Sequence, residues 1–197
     1  MPPQVMTDQL RLFFAMPLPA AALGAICAAQ ERMKRRASRS RLSPRWAEPE
    51  SLHVTLKFLG PMDRAVLPEL VALLNAEARS LSPIETRCTG ITGFSSPKRA
   101  RVVVATLDDA LGLVARLAQG LEQGVIRYRI EPETRPFRTH VTVARLRTPG
   151  DIRDWIDHAA LEAACGLFEE ARLYSSELKP TGAVYRCLGA ARFGETG

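Results

Sequence analysis

The tripeptide His-Val-Thr occurs twice, at His53–Thr55 and at His140–Thr142, with the two histidines 87 residues apart. Each copy lies in an alternating stretch, Leu52-His53-Val54-Thr55-Leu56 and Thr139-His140-Val141-Thr142-Val143, of the kind that forms strands. Successive side chains of a strand point to opposite faces. His53 and Thr55 therefore share one face, and Leu52, Val54 and Leu56 take the other. The same division separates His140 and Thr142 from Val141 and Val143. Each strand has an apolar face for a core and a His-x-Thr face for something else.

The surroundings of the two copies follow one order. Residues 9–16 read as a short apolar strand ending at Pro17, and Pro19 suits the first turn of a helix reaching about Arg36. Residues 51–60 form the first motif strand. Residues 63–78 carry Val66, Leu67, Leu70, Val71, Leu73 and Leu74 at helical spacing, and strands follow near 84–94 and 100–107. The second half then gives a helix over 107–123, N-capped by Asp108 or Asp109, and a strand over 137–146. A helix over 151–165 and strands over 168–178 and 183–193 complete it. Laying one half on the other aligns Leu12-Phe13-Phe14 with Val102-Val103-Val104, and the offset stays at about 84–90 residues throughout. The expected fold is α/β (α+β), a single domain over residues 1–197 built from two approximate repeats, about 9–98 and 99–195. Related by a pseudo-two-fold axis, the repeats give a bilobal molecule with two antiparallel-rich sheets flanked by helices and a central groove.

Composition limits the alternatives. At 197 residues, 46% hydrophobic and 24% charged, the chain has the proportions of an ordinary globular protein and excludes coiled-coil, collagen-like and disordered classes. Lys and Arg number 27 against 21 Asp and Glu, so a formal charge of +6 favours an anionic partner. Cys27, Cys88, Cys165 and Cys187 are scattered, with no Cys-x-x-Cys pair, and read as buried thiols rather than as a disulfide framework or zinc site. Residues 12–29 are uncharged, but Pro17 and Pro19 break the run, so it reads as a strand and a buried helix in a cytoplasmic protein and not as a membrane span.

Two imidazoles facing one cleft suit a reaction that takes up one proton while delivering another. Imidazole titrates near ~6.5, so both protonation states are accessible at neutral pH. A neutral ring acts as general base toward water, and a protonated one supplies a leaving oxygen. Thr55 and Thr142 donate hydrogen bonds to phosphate oxygens without adding charge. Phosphodiester cleavage fits this set, with no metal and no cofactor in the scheme.

On these residues the chain resembles the two-histidine (2H) phosphoesterase superfamily, and within it the bacterial and archaeal RNA 2′,3′-cyclic phosphodiesterases, first named 2′-5′ RNA ligases. The matching stretches are Arg11 to Pro17, Leu52 to Gly60, Arg135 to Arg145 and Leu173 to Leu178. The resemblance implies opening of a 2′,3′-cyclic phosphate by water to leave a 2′-phosphate, with His53 as proton donor and His140 as proton acceptor. It also implies RNA ends or nucleotides with a 2′,3′-cyclic phosphate as partners; tRNA halves are a further expected partner, and a monomer with no membrane association is the expected state. Two departures stand out: Thr139 precedes the second histidine where family members often carry Pro, and residues 189–197 lack an apolar ending. A 2′-5′ ligase acting on tRNA halves and a non-catalytic nucleotide-binding module are the alternative readings.

Secondary candidates keep two readings each. Lys57, on the His53 face by alternation, holds phosphate or snorkels to water. Arg138, on the His140 face, is a phosphate-binding candidate. Arg145 falls on the opposite face unless a bulge redirects it. Phe137 and Trp46 stack on a base or pack in the core. The basic run Lys34–Arg41 follows an RNA backbone or is a solvated helix end. His158, outside either motif, is a surface or packing residue.

Overall fold

The computed structural model describes residues 9–163, 165–179 and 182–194. In chain order the main elements are β1 (Gln9–Pro17), α1 (Ala20–Ala37), β2 (Pro44–Trp46), β3 (His53–Asp63), α2 (Leu67–Arg79), β4 (Ile84–Phe94) and β5 (Ala100–Leu107). They continue with α3 (Leu113–Gly124), β6 (His140–Gly150), α4 (Arg153–Asp157), β7 (Cys165–Phe168), β8 (Glu170–Lys179) and β9 (Gly182–Arg192). Every strand pairing is antiparallel, and the order across the sheet is β7-β4-β5-β6-β3-β1-β8-β9, with β2 attached to β6. The two expected sheets are thus joined into one, through a pairing of β3 with β6.

The order is a palindrome about that joint. β3 and β6 lie at the centre, β1 and β5 beside them, and β8 and β4 beyond. The third strand of each half crosses over: β4 pairs with β5, and β8 pairs with β1. Each side of the sheet therefore draws strands from both halves of the sequence.

One face of the sheet carries the core. Leu12, Phe14, Met16, Val54, Val103, Val141, Val143 and Leu173 belong to a single buried cluster with the apolar sides of the helices. Helix α3 shows the reason in its sequence: Val114, Leu117, Ala118 and Leu121 recur at the spacing of one helical stripe, and all are buried. The carboxylate of Asp109 accepts from the backbone N–H groups of Val114 and Ala115 and stabilises the start of that helix.

Two stretches depart from the sequence reading. The expected helix over 151–165 is limited to Arg153–Asp157. Beyond it the Arg32 guanidinium of α1 takes the carbonyls of Ala159 and Ala160, each at 2.7 Å, and Ala160 adopts a left-handed φ of 45°, which ends the helix. The following residues form β7 on the outer edge of β4. The other departure is β2, a three-residue strand that closes onto β6. The chain end is less polar than expected, since Ala191 and Phe193 are buried in the core.

Candidate active site

The two motif strands meet at one pair, Val54 opposite Val141, both fully buried. Antiparallel direction about that pair sets His53 on the side of Thr142 and Thr55 on the side of His140. The valines point into the core, so the two histidines and two threonines emerge together on the other face. All four are half-buried. Thr139 is buried on the core side, as alternation requires.

A β-bulge follows each motif at the same place. In the β1–β3 ladder Phe14 opposes Lys57 and Ala15 opposes Thr55, which leaves Leu56 extra. In the β5–β6 ladder Val103 opposes Ala144 and Val104 opposes Thr142, which leaves Val143 extra. An extra residue reverses the alternation beyond it. Leu56 and Lys57 are therefore both buried, as are Val143 and Ala144, while Phe58 and Arg145 emerge on the histidine face. These ladders also correct the overlay of β1 on β5: Ala15 is the counterpart of Val104, one residue away from the alignment read from sequence.

Lys57 is accordingly not at the groove. It is 8% exposed, and its Nζ pairs with Glu122 of α3 at 2.7 Å and donates to the Glu131 carbonyl at 3.1 Å. The pair ties the first motif strand to the segment leading into the second. At the second bulge the buried Gln30 of α1 donates from Nε2 to the carbonyls of Val143, at 3.0 Å, and Ala47, at 2.8 Å. The Ala47 N–H also donates to the Val143 carbonyl. The bulged residue is thus held from two sides, and with it the direction of Arg145.

Both imidazoles are anchored in the same way. Nδ1 of His53 lies 2.7 Å from the Ser51 carbonyl, and Nδ1 of His140 lies 2.6 Å from the Arg138 carbonyl, two residues upstream in each case. A carbonyl only accepts, so Nδ1 carries the hydrogen and donates. That leaves Nε2 of each ring for chemistry, as base when neutral and as acid when protonated.

The surroundings of the two rings differ. His53 packs beside Phe13 at 5.1 Å and Tyr185 edge-on at 5.2 Å, with Tyr174 at 6.4 Å. His140 meets Phe94 edge-on at 5.0 Å. Phe94 and Tyr174 occupy equivalent places, each opposite the first strand of a half, at Val102 and Phe13. Burial holds the His53 imidazole below its ordinary value of 6.5. The Ser51 hydrogen bond opposes the shift, and the positive fields of His140 and Arg145 add to it. Arg145 also acts on the Tyr185 phenol, which places its charge among these residues.

The remaining candidates sit as follows. Arg138 precedes β6 and is exposed, and its main-chain carbonyl is the group that meets His140. Phe137 and Trp46 are both half-buried and pack against the core, Trp46 with its ring 5.9 Å from that of Trp155. In the basic run Lys34 pairs with Glu31, and Arg36 donates to Asp154 at 3.0 Å. His158 is exposed beside Asp154. Cys27, Cys88 and Cys187 are in no disulfide, Cys88 being buried, Cys27 half-buried and Cys187 exposed; the Cys165 side chain lies outside the described residues. Among the described residues no helix is long and apolar enough to cross a membrane. Sequence alternation missed the groove positions of Phe58 and Arg145. The available signal was their shared place, each five residues after its histidine.

The family model for LigT like Phosphoesterase matches the chain in two segments, residues 17–104 and 107–185. The chain belongs to this family. Over 190 residues it is 33% identical to an RNA 2′,3′-cyclic phosphodiesterase of Thermus thermophilus, covering 91% of this chain and 88% of the relative. Over 146 residues it is 28% identical to an RNA 2′,3′-cyclic phosphodiesterase of Methanothermobacter thermautotrophicus, covering 72% and 78% of the two chains. Among solved structures it is similar to TT0787 of Thermus thermophilus, with a TM-score of 0.75, 30% identity, and coverage of 94% of this chain and 98% of that one.

The geometry gives two expected outcomes. By NMR titration the His53 midpoint should fall below 6.5, and Arg145→Gln should raise it; a midpoint indifferent to that change would remove Arg145 from the groove. Because the folded-state value is depressed, unfolding takes up a proton. The contribution of His53 to stability is full above about 6.5 and declines as pH falls toward the folded value. Lys57→Met should cost about 3 kcal/mol in urea unfolding, since it leaves the Glu122 carboxylate without its partner, and Glu122→Gln added to it should recover part of that loss.

Proposed function

We propose that the protein hydrolyses 2′,3′-cyclic phosphates of RNA ends or nucleotides to 2′-phosphomonoesters. The observation that carries this reading is the matched anchoring of two imidazoles across one antiparallel joint, each with Nδ1 tied to a carbonyl and Nε2 left free. Family membership and the named activities of the relatives point to the same chemistry.

In the proposed reaction the cyclic phosphate lies between the two rings. Nε2 of His140 takes a proton from water as the water oxygen attacks phosphorus. The bond from phosphorus to the 3′ oxygen breaks, and Nε2–H of His53 delivers its proton to that oxygen. The product is a 2′-phosphomonoester with a free 3′-hydroxyl, and the two rings exchange protonation states with solvent before the next turnover. Thr55, Thr142 and Arg145 bind the non-bridging oxygens, where charge develops. The depressed basicity of His53 makes it a better proton donor once charged. An anionic substrate beside His140 and Arg145 offsets the fields that hold the proton off. A binding module has no need of two rings anchored for proton transfer, which favours the catalytic reading. The chain is read as two copies of one strand–helix–strand–helix–strand unit, and the pseudo-symmetric strand order supports this.

His53→Ala and His140→Ala should each lower kcat/KM for a 2′,3′-cyclic mononucleotide by about 10²–10⁴ with the fold retained. The product of the native enzyme should be the 2′-phosphate by phosphorus NMR. A 3′-phosphate product, or undiminished turnover by either variant, would overturn the assignment.

A further inference from the structure

The two halves diverge at their outer strands. In the palindromic order β9 takes the place beyond β8 that β7 takes beyond β4. β7 pairs with β4 over Ile84–Arg87, at the far end of that strand from Phe94. β9 instead runs beside β8 from Glu170 to Lys179, and it touches the turn at Pro49–Ser51 that leads into His53. In a flat sheet three strand spacings of about 4.8 Å would hold β9 away from β3. The sheet curls at this edge, and a residue of β9 reaches the first motif.

That residue is Tyr185. It pairs with Ser176, two residues along β8 from Tyr174, whose own partner on β1 is Phe13. Tyr185 therefore shares the face of Phe13 and Tyr174. Its half-buried ring stands edge-on to Phe13 at 5.0 Å and to His53 at 5.2 Å. The two tyrosines are committed differently. The Tyr174 hydroxyl accepts from Arg172 at 3.3 Å, whereas among the described residues the Tyr185 hydroxyl has no hydrogen-bond partner. Burial raises the Tyr185 phenol above its ordinary value and the Arg145 guanidinium lowers it, the same guanidinium that acts on His53. The phenol thus keeps its proton at neutral pH, beside His53 and within the field of Arg145.

An uncommitted O–H in that place suits an anion. We propose that the Tyr185 hydroxyl donates to a non-bridging oxygen of the cyclic phosphate, and of the 2′-phosphate product, alongside the two threonines and Arg145. This rests on the function proposed above. Its neutrality matters: His53 must carry a proton to serve as acid, and a second cation next to Arg145 would oppose that. At His140 the ring contact is Phe94, which has no hydroxyl to offer, so the contact belongs to the acid side of the groove alone.

The test compares the native protein with Tyr185→Phe, which keeps the ring and removes the oxygen. By titration calorimetry the dissociation constant of a nucleoside 2′-monophosphate should rise about ten-fold, the size of one lost hydrogen bond to a charged group. The kcat/KM for a 2′,3′-cyclic mononucleotide should fall by at least as much, since charge on the phosphate oxygens grows in the transition state. The NMR midpoint of His53 in the free protein should stay at its native value. Unweakened binding of the 2′-monophosphate by Tyr185→Phe would overturn the inference, and so would a shifted His53 midpoint, which would make Tyr185 a positioning residue for the ring. A native protein whose 2′-monophosphate affinity depends on Tyr185 but which turns over no cyclic phosphate would overturn the proposed function and keep this contact. One that neither binds nor turns over would overturn both.

Discussion

A single antiparallel contact, Val54 against Val141, determines where the reactive groups of this molecule sit. Both valines are fully buried, so neither strand can slip by one residue without exposing its apolar set and burying its histidine. The register that satisfies the core is therefore the register that brings His53 beside Thr142 and His140 beside Thr55. Burial supplies the free energy and alternation supplies the geometry, with about 25 cal/mol gained for each Å² of apolar surface removed from water. The catalytic arrangement proposed here is a by-product of core packing at that joint.

Alternation alone would carry each strand onward with Lys57 and Ala144 on the groove face. The bulges interrupt it, and both halves carry the bulge at the same place. In the first half the redirected lysine is retained as a buried cation, and Glu122 and the Glu131 carbonyl satisfy it. In the second half the equivalent place is Ala144, which needs no partner, and the polar work falls to Gln30 holding the bulged carbonyl. The same backbone irregularity thus requires different side-chain support in each half, and each support reaches across the sequence, from α3 in one case and from α1 in the other. Loss of either would loosen the position of a groove residue without touching a motif.

What the sequence disclosed and what it hid divide along the same line. The His-x-Thr faces were legible because they depend only on the two-residue period of a strand. The helices and most strands were legible from apolar spacing, and the LigT-like family from the ordered motifs. Lys57 was misplaced, and Arg145 was assigned to the groove only on condition of a bulge, because a bulge adds one residue without leaving a compositional mark, and one residue is enough to exchange faces. β2 and β7 are three and four residues long, too short for periodicity to register, and their pairing depends on partners far away in the chain. The helix after Asp151 was overextended because the Arg32 guanidinium that takes its carbonyls comes from another element. Phe137 and Trp46 are apolar enough for either fate, and only packing decides between them.

Duplication gives two equivalent imidazoles, yet the proposed reaction needs one acid and one base. The distinction arises from the side chains around the rings, since their anchoring is the same. His53 is enclosed by Phe13, Tyr174 and Tyr185 and lies in the field of Arg145, whereas the aromatic contact of His140 is Phe94. The exchange of Phe58 for Arg145 at the symmetry-related position places the guanidinium beside His53. A cation there opposes protonation of the ring in the empty groove. Once a phosphodiester anion lies against Arg145 that opposition is relieved, so the proton is accepted in the presence of the group that will need it. Charge placed at one of two equivalent positions thereby turns a symmetric fold into a directional site.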